Sequence, residues 1–282
     1  MLLFFFSITT LRAQNEVQYQ RDSVIGKGGD CTEHFFSRTE KIASPSQISL
    51  LLKNQKTVKL GTFLLSIHSK SGEYINAPST AELPDLQEYG LIDLDKDGKK
   101  ELLISNYTGG AHCCDELYIF KNIGPNKYQY AAKTFAGDVC ISDYNEFTYN
   151  FNQQLGYFFT CFACGYTDTS DAAPVELRGI ILTYRKGKLV PVPGDQELRS
   201  IINDNLGKLG EQPYEKLEDA AAQDNGLRKE FAMNLAVFYY SFGKNLAETK
   251  KLFMKYYKFP DAQKVWAEFV KQLQYIQKSS DI

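Results

Sequence analysis

What this 282-residue chain lacks removes several classes of function before any motif is considered. Its net charge is only -2, with 32 Lys and Arg against 34 Asp and Glu. There is thus no basic field of the kind that draws in nucleic acid. Only three histidines occur, His34, His68 and His112, and there is no G-x-S-x-G segment, so a nucleophile triad finds little support. His112 beside Cys113 does not supply a nucleophile and its base, because neighbours on a strand point to opposite faces. The segment "GKGGD" has glycines but not the Lys-Ser/Thr of a phosphate-cradling loop. After the first 14 residues no apolar run approaches the length that spans a bilayer. No residue is assigned a catalytic role.

What is present is a globular composition, 43% hydrophobic and 23% charged, long enough for one large domain or two ordinary ones. The 18 Tyr and 19 Phe suit sheet faces. The opening "MLLFFFSITTLRAQ" reads as a secretory signal over residues 1–14, cut near Ala13. No cysteine follows closely, which argues against a lipid anchor. The mature chain is expected to be exported, to the periplasm or the cell exterior.

Export decides how the six cysteines are read: Cys31, Cys113, Cys114, Cys140, Cys161 and Cys164. An even number outside the cytoplasm favours disulfides. His112, Cys113, Cys114 and the Cys161-x-x-Cys164 spacing also allow a zinc set, and Cys-x-x-Cys alone allows a redox pair. Under the disulfide reading, Cys113 and Cys114 point to opposite faces and take different partners among Cys31, Cys140, Cys161 and Cys164.

Residues 15–194 are predicted to be β-rich. "SPSQISLLLKN" suggests a short helix, and "TVKLGTFLLSIHSKSGEYI" two strands joined at "SKSG". Further strands are expected at "ELLISNYT", "DELYIFKN", "KYQYAAKTF", "YFFTCFA", "ELRGIILTYRK" and "KLVPV". Residues 195–282 are predicted to be helical. Asp195 caps the first helix, Asn245 and Glu248 form a capping box on a later one, and Trp266, Phe269, Val270 and Leu273 line the inner face of the last. The expected fold is α+β, a mostly antiparallel β-domain followed by a C-terminal helical bundle.

One segment carries chemistry. In "LIDLDKDGKKELLISN", Asp93, Asp95 and Asp97 occupy positions 1, 3 and 5 of a loop, Gly98 position 6 and Glu101 position 9. Alternating acids around a glycine turn let a short loop wrap one hard cation with carboxylate oxygens, and Lys99 adds its backbone carbonyl. Position 12 is Ile104, so the bidentate glutamate of an EF-hand is missing, and the flanks read as strands. The expected ligands are Asp93, Asp95, Asp97, Lys99 and Glu101, and the expected ion is Ca²⁺. "DVCISDYNEF", around Asp143, could be a decayed second copy, but it lacks the acidic ladder and the glycine.

The stretch "LIDLDKDGKKELLISNYTGGAHCCDELYIF" resembles the loop of FG-GAP/VCBS-type repeats, with the pattern D-x-D-x-D-G-x-x-[DE]. More narrowly it resembles a group of exported bacterial proteins in which such a loop precedes "GGAHCC". "AAPVELRGIILTYRKGKLVPV" resembles that group's later strand pair, and "FYYSFGKNLAETKKLFMKYYKFPDAQKVWAEFVKQL" its helical tail. The resemblance implies a fold and a metal and brings no activity. The expected function is a calcium-binding, non-enzymatic module of the cell envelope that binds a protein, peptide or glycan. The alternative is an envelope hydrolase using a metal held by the acidic loop.

Overall fold

The computed structural model describes residues 36, 39–71, 87–108, 115–137, 145–162, 164, 166, 175–214 and 225–282. It is an α+β structure. Nine strands occur among the described residues: β1 Ser49–Leu51, β2 Thr57–Lys59, β3 Gln87–Ile92, β4 Glu101–Tyr107, β5 Asp115–Gly124, β6 Lys127–Gly137, β7 Glu146–Asn150, β8 Gly179–Arg185 and β9 Lys188–Pro191. The helices are α1 Leu60–Ser71, α2 Asn152–Leu155, α3 Gln196–Gly210, α4 Leu227–Ser241, α5 Leu246–Tyr256 and α6 Ala262–Ser279.

The larger sheet has the order β2-β1-β6-β5-β4-β3 and the smaller one β7-β8-β9. The expected antiparallel character holds from β3 through β6, but β1 runs parallel to β6, so the sheet is mixed. The two-strand reading of residues 57–75 is corrected. Among its described residues, 57–71, only Thr57–Lys59 is a strand and Leu60–Ser71 is helix α1, while residues 72–75 lie outside the described residues. Leu60, Phe63 and Ile67 are all buried, a helical spacing that the short apolar run disguised. They pack on Leu102, Ile104, Tyr118 and Phe120, and the Phe63 ring meets Tyr118 and Phe120 edge-on at 5.4 Å each. "SPSQISLLLKN" is not a helix either: Pro45–Gln47 makes one 3₁₀ turn and Ser49–Leu51 enters the sheet. "YFFTCFA" is not a strand, being broken by the left-handed Phe159 and the turn at the cysteines. The strand in that region is β7, where Phe147 and Tyr149 alternate inward.

The chain divides into two compact units. One contains Asp30–Tyr149, Leu182–Val190 and Gln277–Ile282, and the other contains Asn150–Ile181 and Pro191–Ile276. In the sheet unit, the Asp281 N–H donates to the Lys133 carbonyl and the Asp281 carboxylate accepts from Lys53, Tyr130 and the Lys133 N–H.

In the helical unit Asp195 and Asn245 cap their helices as expected, Asn245 through its own side chain. Asp195 accepts from the Leu198 N–H at 2.8 Å, and Asn245 accepts from Ala247 and Glu248 at 3.1 and 3.2 Å. Trp266, Phe269 and Leu273 are buried, as are Val265 and Ile276, while Val270 is half-buried. The ends of helices α3 and α5 approach so closely that a Cβ on Gly210 would sit 2.6 Å from the Tyr256 carbonyl oxygen, which only glycine allows.

Candidate metal centre

Strands β3 and β4 pair with Ile92 opposite Glu101, so the acidic segment is the connection of a hairpin. The loop is organised by its own first acid. Asp93 accepts the Asp97 N–H at 3.1 Å and the Gly98 N–H at 2.9 Å. The Asp97 carboxylate turns back to accept the Lys99 N–H at 2.8 Å. Two residues, Lys96 and Gly98, take positive φ of 57° and 85°, and glycine makes the second of these turns without strain.

Buried anchors then fix the loop against the sheet unit. Leu94 is buried, and its N–H donates to Glu101 Oε2 at 3.0 Å. Asn145 donates from Nδ2 to the carbonyls of Asp93 and Leu94 at 3.1 and 3.2 Å. Asn145 belongs to the stretch considered as a decayed second loop. Its visible role is to brace the first loop from 52 residues away. No sequence signal marks it beyond asparagine's tolerance of left-handed backbone, here at φ 60°.

This arrangement brings Asp93, Asp95 and Glu101 together, one carboxylate oxygen of each lying within 4.8 Å of the others. Oxygens opposite one another around Ca²⁺ are about 5 Å apart, so the three fit one coordination sphere of that size. Asp97 and Lys99 are exposed and are not members of the triad. Glu101 is 0% exposed, and its Oε1 is buried without a hydrogen-bond partner. Asp95 Oδ1 is in the same condition. The nearby Lys100 pairs instead with Glu40.

The electrostatics follow from this placement. Burial pushes the Glu101 carboxyl up to about 7; the Leu94 N–H opposes the shift, and the charges of Asp95 and Asp97 add to it. Tyr184 is pushed far above the usual phenol range by burial and then by Glu101, Asp95 and Asp97, which places its buried hydroxyl in the field of the same acids. The three ligand atoms of the triad are all carboxylate oxygens, the kind a hard cation prefers.

The cysteine expectations divide. Cys161 and Cys164 are disulfide-bonded to each other, with Cα atoms 5.0 Å apart, so neither is a zinc half-site and neither is left to partner Cys113 or Cys114. Beneath this short loop, Lys229 donates to the carbonyls of Phe162 and Cys164 at 2.8 and 2.9 Å. Cys31, Cys113, Cys114, Cys140, His34 and His112 lie outside the described residues. No described helix is long and apolar enough to cross a membrane. Compared with known proteins, the chain matches no family model, no curated protein and no solved structure.

Proposed function

We propose that the chain is an exported, calcium-binding and non-enzymatic interaction module of the bacterial cell envelope, built around an FG-GAP/VCBS-like loop. One observation carries the metal reading: the fully buried Glu101 keeps Oε1 without a donor, within reach of Asp95 and Asp93. Crowded carboxylates taken out of water pay in both repulsion and desolvation, and a divalent cation offsets both. In this reading Asp93, Asp95 and Glu101 hold the ion, and Asp97 and the Lys99 carbonyl complete the shell. Ca²⁺ is favoured over Mg²⁺, which demands a smaller octahedron and retains its waters. Ligands drawn from one short stretch saturate the ion and leave little open coordination for a substrate. The ion then stiffens a hairpin that serves recognition of a protein, peptide or glycan.

Calcium titration of the purified, oxidised protein by calorimetry and by thermal melting tests this. A single Ca²⁺ should bind, with a stability gain of about 2.7 kcal/mol at a hundredfold excess over its dissociation constant. Asp95→Ala should abolish most of that gain. A melting curve indifferent to EDTA, together with no heat on adding calcium, would overturn the metal reading.

A further inference from the structure

We propose that a groove between α3, α4 and α5 binds an acidic peptide segment that presents a carboxylate beside an apolar side chain. The inference names a partner for the interaction module and rests on that reading, though not on the loop's cation. All of its residues belong to the helical unit.

The groove is an open hollow of about 400 Å³ whose lining includes Arg199, Phe238, Glu248, Lys251, Leu252 and Lys255. Three cations stand there against one carboxylate, in a chain whose net charge is -2. Helix α5 and the residues just after it run from Lys250 to Lys258 with four lysines and no acid.

Arg199 is held in place by its neighbours. Its guanidinium lies 4.2 Å from the Phe242 ring centroid and 5.2 Å from that of Phe238. These ring contacts restrain the guanidinium and leave N–H groups to meet a carboxylate in a fork. Among the described residues no carboxylate pairs with Arg199 or Lys251.

The polar wall is satisfied internally. Lys255 donates to the Tyr256 hydroxyl at 2.8 Å, which donates to Asn203 Oδ1 at 3.0 Å. Asn203 Nδ2 donates to the Arg199 carbonyl at 2.8 Å. This chain ties α5 to α3 and leaves recognition to Arg199 and Lys251. Below them Phe238 and Leu252 give the groove an apolar lining. Phe238 is almost wholly covered, so the apolar contact falls chiefly to the half-buried Leu252, and the excess of positive charge in the lining selects an acidic peptide.

Fluorescence anisotropy of a fluorescein-labelled Gly-Asp-Phe-Glu-Leu-Gly peptide, titrated with the full chain, tests the proposal. Saturable binding should weaken as salt rises. It should fall about tenfold or more when the peptide's acids become amides, and again in Lys251→Glu. Lys251 is exposed and stands outside the chain of hydrogen bonds through Lys255, Tyr256 and Asn203, so that variant should melt like the parent. Arg199→Gln should weaken binding further. Equal affinity for the amide peptide, no response to the lysine reversal, or capture by phosphatidylserine vesicles in place of the peptide would overturn it. Titrations in EDTA and in calcium read the loop separately, so either reading can fail while the other stands.

Discussion

Four charged side chains are fully buried among the described residues, and the two units treat them differently. In the helical unit, Arg228, Lys229 and Glu230 lie side by side on α4. Arg228 meets Asp261 at 2.8 Å, Lys229 meets two carbonyls, and Glu230 meets Arg178 at 3.2 Å. In the sheet unit, Glu101 is buried with a backbone N–H on one oxygen and no partner on the other. Burial raises both glutamates. At Glu230 the charges of Arg178 and Lys229 pull back, whereas at Glu101 Asp95 and Asp97 push further. A buried charge supplied with its counter-charge is explained by the fold. A buried charge surrounded by its own sign points to a counter-charge from outside.

The largest effect should come from breaking a pair on the first side of this comparison. Arg228→Ala strands the Asp261 carboxylate, which keeps only the Tyr257 hydroxyl at 2.8 Å. The cost should be about 3–5 kcal/mol by urea unfolding. A loss below about 1 kcal/mol would mean that the α4 charges are not held by their partners, and the contrast with Glu101 would collapse.

On the second side the sign should reverse. The Glu101 carboxyl lies at about 7 in the folded chain against an ordinary 4.5, so the folded state holds the proton more tightly. That contribution is complete below about pH 4.5 and lost as pH rises through about 7. The metal-free protein should therefore lose roughly 3 kcal/mol across that window. Glu101→Gln should remove this slope and make the metal-free protein more stable at pH 8, while ending its response to calcium. Urea unfolding in EDTA across the pH series reads the first effect and thermal melting with calcium reads the second. If Glu101→Gln destabilises the metal-free protein at pH 8, the buried carboxylate is a structural acceptor after all.

The two sides also differed in how far the sequence disclosed them. The loop was legible because its acids and glycine are contiguous, so spacing alone located Asp93, Asp95 and Glu101. Its brace, Asn145, arrives from 52 residues away and carries no local signature. Helices α3, α5 and α6 were legible through caps and one-sided apolar faces. Helix α1 was not, because a short apolar run following a true strand satisfies either period. The partners of the α4 charges were hidden for a related reason. Arg178, Phe162, Cys164 and Asp261 are brought to the helix by packing that no spacing announces. The parallel pairing of β1 with β6 is likewise a long-range choice, joining residues near 50 to residues near 128.

The smallest effect tests whether burial, rather than pairing alone, separates the two groups. Asp204 and Lys208 form an ion pair at 2.8 Å one turn apart on α3, with both side chains reaching solvent. An exposed pair of this spacing contributes about 0.3–0.5 kcal/mol, screened further by salt. Replacing Asp204 with alanine forfeits that attraction and gains roughly as much from alanine's better helix propensity. Asp204→Ala should thus lie within about 0.5 kcal/mol of the parent in urea unfolding, with any small difference shrinking at high salt. The same chemical pairing in Arg228 and Asp261 is expected to matter several times more, because Arg228 is buried and Asp261 is largely covered. A loss of about 2 kcal/mol or more at Asp204 would show that surface pairs carry comparable weight, and burial would no longer distinguish Glu101 from the other acids of the chain.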